Sequence, residues 1–303
     1  SLLSTTTGAN NVAVGYLSLD ANTTGGSNVA MGRGSLGANT TPSNNTAIGD
    51  LSMVANTTGD DNTAIGSGSL DANTTGSKNT AVGHLSLSSN TEGLENTGLG
   101  RSALFTNTTG DGNVAVGRLS LFSNTTADNN TAVGKESLCA NTTGSHNVAV
   151  GCGALDANTT AVGNTALGNA AMGTNTTGTS NVAVGNSALF SNTTADNNTA
   201  VGKSSLSANT TGSELVGVGL QSLNCNTTGQ KNVAVGVNAL CANTTACCNT
   251  AVGHVAMTAT TTGCRNVAVG AGALKTNTEG DQNVAIGREA LGVATTADGN
   301  TAV

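Results

Sequence analysis

Polar, small and branched apolar residues follow one another along this chain in an order that repeats without insertion or deletion. The run Asn11-Val12-Ala13-Val14-Gly15 returns at Asn28, Asn45 and Asn62 in steps of seventeen, lapses once at Leu215, and continues to Asn300. The unit reads Asn, Val or Thr, Ala, Val or Ile, Gly, two variable residues, Ser or Ala, Leu, two variable residues, Asn-Thr-Thr-Gly and a variable pair. A helix is a poor fit, because branched Cβ atoms favour strands and a Gly, Asn or Thr cluster interrupts the chain every few residues. The pattern predicts short strands at Val12–Val14 and around Ser18-Leu19, with turns at Gly15 and across Asn22–Gly25, making one coil of a solenoid. Seventeen residues cannot bury their own apolar atoms, so coils must stack on their neighbours. The predicted class is all-β, a parallel β-solenoid or β-roll of about 18 coils of seventeen residues. Residues 1–303 read as a single uninterrupted array, expected to be a segment of a longer chain.

Stacking places like residues in ladders about 4.8 Å apart. Asn22, Asn39, Asn56 and Asn73 are predicted to form an amide ladder of the kind seen in cross-β stacks, and Thr23, Thr40, Thr57 and Thr74 to do likewise. The Gly that follows the strand, from Gly15 to Gly287, fits a turn with positive φ. Side chains alternate across a strand, so Ala13 and Val14 face opposite ways. The Val14 and Leu19 positions are expected to form the coil interior. Yet the Ala13 position is nearly as restricted, deviating only at Gly98 and Gly217, which implies close packing on that face too. Either the coil is flat enough for its two sides to touch, or a second copy of the chain lies against the alanines. The second reading is preferred; it makes Ala13, Ala30, Ala47, Ala64, Ala81 and Ala115 a candidate oligomer interface, most simply of a trimer.

Composition narrows the function classes. Of 303 residues none is Trp, one is Tyr, three are Phe and one is Pro, so no thick core can be filled. Charged residues are 9% of the chain and hydrophobic ones 37%, the reverse of the balance that keeps chains disordered. A net charge of −7 lacks the basic footprint of a nucleic-acid binder and disfavours anionic membranes. No stretch approaches the roughly 20 apolar residues of a membrane span.

Catalysis needs unlike groups converging on one place, whereas a ladder sets like groups in lines. The expectation is therefore a protein that is not an enzyme and carries no catalytic residue, metal or cofactor. His84, His146 and His254 are too far apart in the array to meet. Cys247 and Cys264 share one position in adjacent coils, within disulfide range, and form a candidate disulfide; Cys248 is a competitor, and Cys139, Cys152, Cys225 and Cys241 lack an in-register partner. Arg101, Arg118 and Lys135 stack over three coils, with Phe105 and Phe122 four residues beyond the first two. They make a speculative patch for an anionic glycan through cationic hydrogen bonds and aromatic stacking. The Asn-Thr-Thr units match the N-glycosylation pattern at Asn22, Asn39 and Asn56, but an Asn turned into its ladder cannot carry a sugar.

The run Asn-Thr-Thr-Gly-x-x-Asn-Val-Ala-Val-Gly-x-x-Ser-Leu resembles, over the whole chain, the head repeats of trimeric autotransporter adhesins and the repeats of phage and giant-virus tail fibres. The resemblance implies a left-handed parallel β-roll, three chains side by side, and attachment to host surfaces. The adhesin head repeats are a few residues shorter, so architecture transfers better than target. The functional expectation is a structural extracellular or virion fibre, a shaft or filament, located outside the cell or on a virion surface. Its partners would be other copies of itself, as a homo-oligomer or end-to-end filament, with no nucleic acid and no membrane insertion. The alternative is an adhesive surface that binds a host glycan or cell surface. A minor alternative is ice binding through Thr23 and Thr24 ladders.

Overall fold

The computed structural model describes residues 2–303. They fall into two compact units, Ser1–Asn147 and Val148–Val303, each a parallel β-solenoid. The first holds eight strands, from Val12–Val14 to Thr131–Val133, and the second ten, from Val148–Val150 to Thr301–Ala302. The described residues contain no helix, and so none long and apolar enough to cross a membrane.

Within each unit a strand pairs in parallel with the one seventeen residues further on, identical positions opposite one another. Val12, Ala13 and Val14 face Val29, Ala30 and Met31; Val148, Ala149 and Val150 face Thr165, Ala166 and Leu167. Each coil has one strand of three residues, not two. Ser18 and Leu19 lie in a turn, because Leu19 adopts φ 50°, outside the extended region, as do its counterparts Leu36 and Met53. The coil-to-coil hydrogen bonds nevertheless persist there: Leu19 N donates to Ser35 O at 2.9 Å, and Thr23 N to Thr40 O at 2.8 Å. Left-handed conformations of this kind cost roughly 1–2 kcal/mol per non-glycine residue. Since Leu17 and Ser27 share them, the closed backbone ladder and the buried side chains must offset that strain in every coil.

The alternation of the strand is the reverse of the one expected from sequence. Ala30, Ala47, Ala64, Ala81 and Ala115 are completely buried inside their own chain, and Ala13 is half-buried at the first coil. Their counterparts of Val14 point outward. The candidate interface residues are therefore interior residues, and the restriction to alanine has an intramolecular cause. A Cβ added at Gly98 would lie 2.6 Å from Ser86 Oγ and 3.4 Å from Leu87 Cδ1; one at Gly217 would lie 2.6 Å from Ser205 Oγ and 3.2 Å from Leu206 Cγ. Only a methyl group or less fits between the strand and the Ser-Leu turn across the coil. Of the two residues assigned to the interior, Leu19 is there, completely buried, and Val14 is not. One buried Leu or Met per coil, worth about 1.5–3 kcal/mol, supplies most of the apolar volume of this thin core.

The glycine after each strand behaves as expected. Gly49 has φ 141°, and a Cβ there would meet Gly66 O at 2.4 Å. Both dihedral and close coil-to-coil approach demand glycine.

Candidate functional site

Two asparagines per coil share the interior with the Ser or Ala that precedes the buried Leu, and both are completely buried through most of each unit. In the ladder that starts at Asn22, the Nδ2 groups of the first unit from Asn39 to Asn124 each use both hydrogens. Asn39 donates to Asn22 Oδ1 at 3.1 Å and to Pro42 O at 3.2 Å; Asn56 donates to Asn39 Oδ1 at 3.0 Å and to Gly59 O at 2.9 Å. The expected amide ladder is present, and its burial removes Asn22, Asn39 and Asn56 as sugar acceptors. The second ladder, at the repeat's first residue, joins side chain to backbone. Asn28 Oδ1 accepts from Asn45 N at 2.9 Å, while Asn45 Nδ2 donates to Gly59 O at 2.8 Å. The threonines differ from expectation: Thr57 Oγ1 donates to the backbone carbonyl of Thr74 at 3.0 Å, and Thr74 Oγ1 to that of Thr91 at 3.1 Å, not to each other's hydroxyls.

The outward strand face of each unit carries exposed apolar side chains. Val14 is 55% exposed, Met31 41%, Ile65 38% and Leu99 36%, while Leu167, Val252, Val269 and Ile286 repeat the pattern in the second unit. Beside them runs a half-buried row of Val or Thr at the strand's first position. An alternating sheet facing water ordinarily turns its polar residues outward; here the outward rows are branched and mostly apolar. Sequence reasoning located this pattern but assigned it to the wrong side, because size restriction alone does not distinguish a crowded interior from a covered exterior.

The speculative glycan patch is partly assembled. The Phe105 and Phe122 rings stack with centroids 5.1 Å apart and planes 4° from parallel, both half-buried on their own chain. Arg118 Nη2 and Lys135 Nζ, however, both reach Glu136 Oε1, at 3.0 and 3.5 Å. The Arg118 hydrogen bond, with Lys135 beside it, holds the Glu136 carboxyl below its ordinary range. Two of the three cations thus already have a carboxylate partner, and Arg101 is exposed.

A surface notch of about 410 Å³ is lined by Tyr16, Leu17, Arg33, Gly34, Gly37 and Leu51. It arises where Gly34 and Gly37 supply no side chain between coils that carry Leu17 and Asp20 on one side, Leu51 and Val54 on the other. Its signal in the sequence is two glycines at variable positions of one coil.

The three histidines are exposed and apart, and among the described residues no group of His, Cys, Asp or Glu could hold a metal ion. Cys247 and Cys264 do meet, Sγ to Sγ 3.2 Å. The structure also brings Cys225 and Cys241 together, sixteen residues apart, with Cys225 N donating to Cys241 O at 3.1 Å. Burial, and after it the neighbouring Cys225, push the Cys241 thiol up. A search for identical repeat positions misses this pair, because its members differ by one position.

No protein-family model matches the chain, and no curated protein matches it.

Proposed function

We propose that this chain is a structural fibre element, a shaft or filament on the outside of a cell or virion, whose copies associate through the outward strand face. The observation that carries the reading is the row of outward aliphatic side chains along the strands, exposed at Val14, Ile48, Ile65 and Leu167 and half-buried at Val116 and Val184, set on a backbone hydrogen-bonded from coil to coil. Contiguous exposed apolar rows of this length are rare on surfaces that meet only water. A regular face with like residues in register from strand to strand suits a second copy, which presents the same spacing. Little charge and a saturated ladder suit a rigid spacer, and the charged or aromatic side chains that do occur are confined to turns. The homo-oligomer anticipated from sequence is retained, with its interface moved from the alanines to the rows of Val14, Ile48 and Ile65.

Light scattering combined with negative-stain images tests this reading. The expected result is a multiple of the 29.2 kDa chain mass, seen as rods, that falls to the single-chain mass in Ile48→Lys/Ile65→Lys without loss of strand signal. A single-chain mass for the unaltered protein at high concentration would overturn the proposal.

A further inference from the structure

The turn before several of the strands contains a position where an Asp or Ser side chain leans back on the preceding coil. Ser43 N donates to Asp60 Oδ1 at 2.7 Å, Asp60 N to Ser77 Oγ at 3.0 Å, Asp111 N to Asp128 Oδ1 at 2.8 Å, and Cys264 N to Asp281 Oδ1 at 2.6 Å. In each case an Asp or Ser oxygen of one coil accepts the backbone N–H of the coil before it. At one step of the second unit sulfur takes the place of oxygen. Cys247 N donates to Cys264 Sγ at 3.0 Å, and the Cys247 and Cys264 sulfurs lie 3.2 Å apart. The lean that satisfies a backbone donor elsewhere thus delivers one thiol onto another.

From this geometry we infer that Cys247 and Cys264 form an oxidative modification site, closed to a coil-to-coil disulfide by exchange with a small soluble disulfide. The backbone needs no rearrangement. The strands that follow, Thr250–Val252 and Val267–Val269, pair in register, so the two Cα atoms are spaced like neighbouring coils, about 4.8 Å, inside the range a disulfide spans. Both thiols are partly exposed and Cys248, next to Cys247, is exposed, which leaves the site open to a small reagent.

The order of events follows from the environment of each thiol. The hydrogen bond with Cys264, and burial after it, push the Cys247 thiol up to about 11, so it holds its proton when Cys264 reacts first. The Cys264 thiolate attacks the reagent R–S–S–R, forming Cys264–S–S–R and releasing one RS⁻. Cys247 then loses its proton to water, and its sulfur attacks the Cys264 sulfur, expelling the second RS⁻. Two protein thiols are oxidised to one disulfide and one reagent disulfide is reduced to two thiols. Cys248 is adjacent in sequence and sits at φ 61°, and a bridge between neighbouring residues would strain the peptide between them.

The test is to incubate the reduced full chain with oxidised glutathione, alkylate the remaining thiols, and map fragments cut between Thr250 and Gly263. The expected product is an intrachain link of Cys247 to Cys264 with the loss of two hydrogens, formed equally in Cys248→Ser and absent in Cys264→Ser. Stable glutathione adducts on Cys247 or Cys264, a link of either to Cys248, or only links between chains would each overturn the inference. Because the readout is a bond within one chain, it is independent of whether the protein is a fibre.

Discussion

The two units are built from one repeat, yet their amide ladders differ in continuity. In the first, the side chains from Asn22 to Asn124 form an unbroken series of Nδ2 to Oδ1 bonds of 2.7–3.1 Å. In the second the series runs from Asn158 to Asn243 and is then interrupted by Thr260, whose Oγ1 donates to Asn277 O at 3.0 Å and gives Asn243 nothing. Asn243 Oδ1 is left buried without a partner at that step, and so is Asn277 Oδ1, because the next coil carries Ala294 in place of the asparagine. The backbone bonds loosen at the same step. Thr244 N and Thr245 N reach Thr261 O at 3.3 and 3.4 Å, where Thr57 N and Thr58 N reach Thr74 O at 3.0 Å. The coil survives the lapse, so the backbone ladder defines the fold and the amide ladder adds stability to it. In a solenoid that stability is local, because each coil contacts only its neighbours.

The difference can be abolished from either side. Asn73→Ala would break the intact ladder, removing donors from Asn56 Oδ1 and Gly76 O and an acceptor from Asn90 Nδ2. Gly76 O keeps the bond from Asn62 Nδ2 at 2.9 Å, so two buried groups are left unpaired, and at roughly 1–3 kcal/mol for each the expected loss is about 2–6 kcal/mol. It should appear as faster amide hydrogen exchange in the coils around Asn73 but not in those of the second unit. Unchanged exchange there would mean that the side-chain ladder is dispensable. Conversely, Thr260→Asn offers a donor to Asn243 Oδ1 and an acceptor to Asn277 Nδ2. The expected gain is about 1–2 kcal/mol, read as slower exchange at Thr244 and Thr245. A loss of protection would show that Thr260 is accommodated by a local geometry that an amide cannot share.

Periodicity carried the fold in this sequence, and alternation alone could not orient it. The period of seventeen, the stacked Asn22 series and the positive φ at Gly15 follow from residue types that tolerate few alternatives. Which strand face is inward does not, since Ala30 and Met31 occupy equally restricted positions. The structure decides it through the Ser-Leu turn across the coil, which leaves so little room that at Gly98 even a Cβ would crowd Ser86 Oγ at 2.6 Å. The predicted second strand at Ser18-Leu19 failed for a related reason: left-handed φ at a buried leucine is set by coil closure, and no local propensity of leucine announces it. Cys247 and Cys264 were legible because they share a repeat position. Cys225 and Cys241, and the notch at Gly34 and Gly37, were not, because they depend on contacts between unlike positions of neighbouring coils.

The units differ once more in charge, and this gives the smallest expected effect. In the first, Arg33 holds Asp50 by two bonds, Nε to Oδ1 at 2.8 Å and Nη2 to Oδ2 at 3.0 Å. In the second, Arg288 pairs with Glu289, its neighbour in sequence, at 3.9 Å, and both are largely exposed. The Arg33 hydrogen bond lowers the Asp50 carboxyl below its ordinary value. A carboxylate depressed in the folded state contributes stability that is fully present above its unfolded pKa, and this is lost as pH falls through the lowered folded value. Acidification through that window should therefore speed exchange in the coils of Arg33 and Asp50 before it affects those of Arg288. Because the pair is open to water, added salt should shrink the difference, and Asp50→Asn should erase it. A pH response equal in both units, or one untouched by Asp50→Asn, would show that the charge pair does not contribute to coil stability and that the interior ladders account for the whole difference between them.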